Sequence, residues 1–259
     1  MTDTTASPLE GNVLFYNKPE PLDAGQHAGL GVNPTAKPYA FVGAANFVPL
    51  TVTEFAAAAL SYPVVFMGDQ KQPVAVMGLR QGENLYVSDE GDFRSDAYVP
   101  AYVRRYPFVF ADDKQNERLI LCIDRGASIV VKDGEHPLFV DGQPSDYTKM
   151  AMEFCNNFEQ ERRRTEAFVK LLTELDLFDV AEARFTPRDA AGNAGQPQKL
   201  AEYFAVSEEK LKKLPAEKLV ELRDNGALGQ IYAHMLSLMG WDRLIALAFQ
   251  RTPPVAANA

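Results

Sequence analysis

The sequence predicts an α+β fold, with an antiparallel β meander in the middle of the chain packed on a long helix and a carboxyl-terminal helical region. Two features predict it. Short apolar runs between residues 64 and 124 are separated by turn residues, which is typical of strands with tight connections. From Ser145 to about Leu177 there is neither proline nor glycine, and apolar residues recur with helical spacing.

Length and composition are those of a globular protein. The chain has 259 residues, of which 46% are hydrophobic and 24% charged, so either one large domain or two small ones would bury a core. We expect a single domain over residues 1–259. Its four parts are an extended wrapping arm, a β-rich part, a mainly helical part and a disordered tail, at residues 1–48, 49–144, 145–251 and 252–259.

The amino-terminal part should be extended, because prolines remove backbone donors and disfavour helix in the residues before them. There are four in this stretch, at Pro19, Pro21, Pro34 and Pro38. The first helix signal is Thr51 followed by Glu54, the spacing of a capping box in which each side chain binds the other residue's backbone N–H. This helix is expected to end before Pro63.

Five strands are predicted in the middle of the chain, near residues 64–67, 74–79, 84–87, 107–111 and 118–124. Their connections are too short to cross over between parallel strands, so the pairing should be antiparallel. A further hairpin is predicted at Asp141 and Gly142, because an Asp-Gly pair readily adopts the positive φ angles of a tight type I′ turn.

The remaining elements are mainly helical. Ser145 is the expected N-cap of the long helix, and a strand pair near 181–187 and 199–206 should follow, with its loop at 192–195. Four shorter helices are predicted to complete the chain, beginning at Ser207, Pro215, Leu228 and Trp241.

The net charge disfavours nucleic acid as a partner. The chain has 35 acidic and 26 basic side chains and a net charge of -9, so it would be repelled by a phosphate backbone. The amino terminus lacks the basic and apolar parts of a secretory signal, and Asp242 and Arg243 interrupt the most apolar stretch, which argues against a membrane span. We therefore expect a cytoplasmic protein; a position at the cell surface would require a signal-independent route.

No residue pattern predicts a metal, a cofactor or a covalent nucleophile. The two cysteines, Cys122 and Cys155, lie in apolar patterns that suit core residues. The histidines, which are His27, His136 and His234, lack the spacing of metal ligands, and the glycine motifs of nucleotide-binding loops are absent. We expect no cofactor, no metal site and no catalytic residue, and a non-enzymatic protein.

The candidate binding residues are Tyr98, Tyr102, Arg104, Arg105 and Tyr106. Tyrosine and arginine are enriched at protein–protein hot spots, where they provide contact area and directed hydrogen-bond donors, so we predict that these residues contact a protein partner. In a second interpretation, the rings fill the core and the arginines pair with nearby aspartates.

A second candidate site is a pocket between the β meander and the carboxyl-terminal helices, near Asp124, Tyr232 and His234. Such a pocket would suit a small-molecule ligand, in a metal-free enzyme or a small-ligand-binding protein. A histidine among apolar residues can titrate or bind a ligand, although a histidine with its hydrogen bonds satisfied in the core is the more common arrangement.

Several segments carry a family resemblance. The most specific runs from Pro100 to Phe108, with the residues Pro-Ala-Tyr-Val-Arg-Arg-Tyr-Pro-Phe. Others lie at residues 48–55, 62–66, 82–85, 121–124 and 231–238. On these segments the chain resembles the SapC family of bacterial proteins from about Leu14 to Phe249. The resemblance implies an accessory protein, linked by the family name to a bacterial surface layer, and it supplies no catalytic residues to transfer to this chain.

Overall fold

The computed structural model describes residues 13–113, 118–187 and 194–251. The predicted tail at 252–259 and part of the predicted loop at 192–195 lie outside these ranges. The contacts within the chain form two compact units. The first contains the residues up to Pro38 together with Arg104–Gln160, and the second contains Tyr39–Val103 together with the residues from Glu161 onward.

The structure contains both strands and helices, as the α+β prediction requires. The strands are, in chain order, β1 (Pro19–Pro21), β2 (Leu30–Val32), β3 (Phe47–Pro49), β4 (Val64–Met67), β5 (Gln72–Val76), β6 (Phe108–Asp113), β7 (Arg118–Asp124), β8 (Val130–Lys132), β9 (His136–Pro137), β10 (Phe139–Val140), β11 (Gln143–Pro144), β12 (Phe178–Phe185) and β13 (Gln198–Val206). The helices are α1 (Phe55–Ala59), α2 (Ala101–Arg104), α3 (Asp146–Glu174), α4 (Glu208–Lys212), α5 (Ala216–Asp224), α6 (Ala227–Ser237) and α7 (Gly240–Arg251). The α+β fold class is confirmed.

The first unit is built on two small antiparallel sheets and a hairpin. The sheets have the strand orders β1-β7-β6 and β8-β2-β9, so the amino-terminal arm contributes a strand to each. The hairpin of β10 and β11 turns at Asp141 and Gly142, with φ angles of 51° and 74°, which confirms the predicted type of turn. A cluster of buried side chains that includes Phe108, Ile123 and Leu138 forms the core.

The second unit contains a five-stranded sheet in the order β12-β13-β4-β5-β3, in which all neighbours are antiparallel. Aromatic rings meet in its core, where Phe55 of α1 contacts Phe66 of β4 and Phe168 of α3 at centroid distances of 6.0 and 5.9 Å. The predicted capping box is present: Thr51 and Glu54 bind each other's backbone groups in a single turn of 3₁₀ helix before α1.

The predicted meander differs from the structure in two ways. Residues 84–87 form no strand, and only an isolated bridge joins Val87 to Phe93. Asn84 provides the physical reason, because its side chain accepts a hydrogen bond from the Tyr86 backbone N–H and donates one to the Val42 carbonyl. These bonds replace a strand ladder. The hairpins β4–β5 and β6–β7 belong to two different sheets, so the predicted strands do not form one continuous meander.

The long helix α3 has 29 residues and is close to its predicted limits. Ser145 Oγ accepts a hydrogen bond from the Thr148 backbone N–H, which confirms Ser145 as the cap. At the other end Asp176 has a φ of 50°, and the Leu177 N–H bonds to the carbonyl of Leu172, as in a Schellman motif. Within the described residues, no helix has both the length and the apolar character needed to cross a membrane.

Candidate binding surface

The five predicted binding residues fall in both units, because the boundary lies between Val103 and Arg104. Tyr98 and Tyr102 belong to the second unit. Arg104, Arg105 and Tyr106 belong to the first. The two groups are therefore described in turn.

Glu54 anchors the part of the segment that lies in the second unit. One of its carboxylate oxygens, Oε1, accepts hydrogen bonds from the Tyr98 hydroxyl at 3.0 Å and from the Ala101 backbone N–H at 2.7 Å. The other oxygen, Oε2, accepts bonds from the Thr51 backbone N–H and hydroxyl, both at 2.8 Å. The capping residue of one helix thus also holds a segment that lies more than 40 residues further along the chain.

Two further hydrogen bonds fix the backbone of Tyr98. Its N–H donates to Ser61 Oγ at 3.1 Å, and its carbonyl accepts a bond from the Tyr62 hydroxyl. Burial raises the pKa of Tyr62 well above the usual range of tyrosine, so this hydroxyl keeps its proton. Tyr102, on α2, is buried. The two tyrosines of the second unit therefore hold the segment in place.

The two adjacent arginines have different environments in the first unit. Arg104 is exposed, with its guanidinium carbon 5.2 Å from the centroid of the Phe154 ring. Arg105 is half-buried, and its guanidinium carbon lies 4.6 Å from the Phe158 centroid and 5.7 Å from that of Tyr16. Cation–π contacts orient both side chains, and Arg104 is the more exposed of the two residues.

Tyr106 is half-buried against Tyr16, with ring centroids 5.4 Å apart in an edge-to-face arrangement. Burial, together with the charge of Asp124 and a hydrogen bond to that carboxylate, raises its pKa to about 12. Asp124 is fully buried and accepts backbone hydrogen bonds from Asn17, Lys18 and Gly126 at 3.0, 2.7 and 2.9 Å. These contacts tie the end of β7 to the amino-terminal arm.

Replacing Arg105 by alanine is expected to destabilise the first unit by about 2 kcal/mol, because the change removes the cation–π contacts of a half-buried guanidinium and the aliphatic stem that carries it. Hydrogen exchange of the β6 and β7 amides, with a urea titration, measures the effect. Arg118→Ala is the matched control, since Arg118 is an exposed arginine in the same unit. Equal stabilities of the two variants would contradict the assignment.

The three residues of the second candidate pocket have separate environments. Asp124 belongs to the first unit, and Tyr232 and His234 belong to the second. His234 is fully buried: its Nε2 accepts a hydrogen bond from the Val206 N–H at 3.0 Å, and its Nδ1 donates to the Val64 carbonyl at 2.8 Å. Tyr232 is 50% exposed on the same helix. Both His234 nitrogens are thus occupied, and the pocket stays a prediction.

An exposed apolar stripe on α6 was missed in the sequence analysis. Tyr232 and Leu236 are 50% and 64% exposed, and Met239, just beyond the end of α6, is 76% exposed. The spacing of four residues places Tyr232 and Leu236 on one side of the helix, which the sequence pattern could have indicated. Contiguous exposed apolar side chains are typical of contact surfaces.

The cysteines behave as the sequence analysis predicts. Cys122 and Cys155 are buried and free, and burial raises the pKa of each thiol to about 11. A thiol of this kind stays protonated and is a poor nucleophile. Among the described residues, no three histidine, cysteine, aspartate or glutamate side chains form a group that could hold a metal ion.

Comparison with known proteins identifies the family. The SapC family model matches residues 22–244, which is most of the chain and includes β4 to β13 and the segment from Tyr98 to Tyr106. No curated protein and no solved structure matches the chain. The protein therefore belongs to the SapC family.

Proposed function

We propose that the protein is a non-enzymatic accessory protein that binds a protein partner, with Arg104 as the central contact. The observation that supports this proposal is the exposed residue Arg104, whose guanidinium carbon lies 5.2 Å from the centroid of the Phe154 ring. An oriented arginine loses less conformational freedom on binding than a flexible one, and its planar group recognises carboxylates through paired hydrogen bonds. The partner should accordingly present an aspartate or glutamate side chain.

The other predicted binding residues support this role from within their own units. Tyr98 and Tyr102 are held by hydrogen bonds and burial, and Arg105 and Tyr106 pack against rings. They would restrain the backbone on either side of Arg104, so that binding does not have to order the segment. The association with a bacterial surface layer, which the family name implies, stays a prediction.

The test is affinity capture from native cells with Arg104→Ala, Arg118→Ala and the wild-type chain, followed by quantitative mass spectrometry. We expect one protein to be captured by the wild type and by Arg118→Ala, and its recovery to fall at least about tenfold with Arg104→Ala. Both variants change an exposed arginine, so folding should be unaffected. Equal recovery of every captured protein by all three chains would contradict the proposal.

A further inference from the structure

The strand β12 forms one edge of the five-stranded sheet in the second unit. It pairs with β13 on one side, and within the described residues no strand pairs with its other side. An edge of eight residues is long, and backbone groups that pair with no strand are a template for another one. At one end of β12, the Phe178 carbonyl accepts a hydrogen bond from Lys210 Nζ at 2.8 Å. This edge can therefore accept an added strand without any change in the sheet.

From Val180 to Phe185 the residues of β12 alternate between two environments, whereas the buried Phe178 and the exposed Asp179 do not follow this pattern. Ala183 is buried and Ala181 is half-buried, whereas Val180, Glu182 and Arg184 are exposed on the opposite face. The single irregularity of the hairpin occurs between Ala183 and Arg184, where the partners in β13 are Ala201 and Lys199, so the extra residue belongs to β13. The edge strand itself is therefore regular over its whole length.

When two copies of β12 pair in antiparallel orientation, the acidic and basic side chains of one exposed face can lie opposite those of the other. If the two-fold axis passes through Ala183, Glu182 of each copy lies opposite Arg184 of the other, and the exposed faces share one side of the joined sheet. Moving the axis to Glu182 or to Arg184 places like charges opposite each other, which is unfavourable. Of these three registers, the charge pattern favours the one with the axis at Ala183.

Within one copy, the same two residues are already close. Arg184 donates to Glu182 Oε2 at 2.9 Å through Nε, and Lys199 of β13 lies 2.9 Å from Glu182 Oε1. Pairing of two copies would let each Arg184 bridge to the partner's carboxylate while Lys199 keeps its contact with the other oxygen. No buried charge would lose its partner in the process.

We propose that β12 pairs with β12 of a second copy of this chain, joining two five-stranded sheets into one across a two-fold axis at Ala183. Backbone hydrogen bonds hold the two strands together, and the two Glu182–Arg184 pairs set their register. The dimer uses none of the five predicted binding residues, so its test does not depend on the partner proposed above.

Sedimentation velocity on the full chain over a wide range of concentration tests this proposal. The wild type should form dimers, and Glu182→Arg and Arg184→Glu should each raise the dissociation constant at least about tenfold, because each change sets like charges opposite each other. The double variant Glu182→Arg/Arg184→Glu exchanges the two charges and should recover the dimer. Glu221→Arg, at an exposed pair with Lys218 on α5, is the control.

Circular dichroism should show the same helix and strand content in all of these variants, since the changes are at exposed positions. A wild type that stays monomeric at the highest concentration reached overturns the proposal. A dimer that is insensitive to both single variants, or that the double variant fails to recover, also overturns it. Loss of the dimer only with Leu236→Glu would assign the contact to the apolar stripe on α6 instead.

Discussion

Replacing His234 by alanine is expected to lower the free energy of unfolding by about 3 to 5 kcal/mol at neutral pH. The ring is fully buried and packs edge-to-face on Phe66, with centroids 5.0 Å apart. Its removal leaves a cavity and deprives the Val206 N–H of its acceptor. Trp241 is the only tryptophan of the chain and lies in the same unit, so its fluorescence in a urea titration reports the loss.

The same histidine should make stability depend on pH. Burial lowers the pKa of His234 from 6.5 to about 4, and the hydrogen bond to the Val64 carbonyl only partly opposes this. Above about pH 6.5, neither the folded nor the unfolded state carries the proton. As the pH falls from 6.5 towards 4, the unfolded chain takes up a proton that the folded chain excludes, so up to about 3 kcal/mol of stability is lost.

His234→Gln isolates this effect, because glutamine retains a donor and an acceptor but does not titrate. Its stability should vary less with pH than that of the wild type between about pH 6.5 and 4. His136→Gln is the control: His136 is only half-buried and stacks on Tyr147 at 5.0 Å, so the wild-type dependence should remain. An unchanged pH dependence in His234→Gln would mean that another group is responsible.

Local patterns predicted most of the elements, because the interactions that define them are local. The capping box of Thr51 and Glu54 and the turn at Asp141 each depend on residues no more than three positions apart. The prediction of a strand at 84–87 was wrong, and the reason is also a local interaction. This segment does contain a short run of apolar residues. However, the hydrogen bonds of the Asn84 side chain compete with those of a strand ladder, and the apolar pattern gives no information about them.

The candidate site was less predictable, because its contacts join residues far apart in the chain. Arg104 and Arg105 are identical neighbours in sequence, yet one is exposed and the other is half-buried with its guanidinium near two rings. The difference depends on Tyr16 and Phe158, which no local spacing connects to them. Likewise, His234 was recognised as a candidate core histidine, but its partners Val64 and Val206 follow from tertiary packing alone.

Glu54 likewise makes one contact that local spacing predicts and others that it does not. Its replacement is the second change with a large expected effect on stability. Its bond to Thr51 follows from their spacing of three residues, whereas its bonds to Tyr98 and Ala101 do not. Glu54→Ala should lower the free energy of unfolding by about 4 kcal/mol, because four donors around a buried site lose a charged acceptor. Urea titration followed by Trp241 fluorescence measures this effect.

A glutamine variant separates the effect of losing the carboxylate from the effect of losing the side-chain volume. In Glu54→Gln, one oxygen becomes an amide that donates, so one of the two pairs of donors loses its acceptor; we expect about half the effect of alanine. Tyr98→Phe removes one donor and should cost about 1 kcal/mol. Tyr98→Phe should cost less when Glu54 is already alanine, because the stability effects of substitutions at contacting residues are not additive. The exposed Glu90 provides the control, as Glu90→Gln. If Glu54→Gln is as stable as Glu90→Gln, the carboxylate does not hold the segment, and the restrained backbone around Arg104 must have another cause.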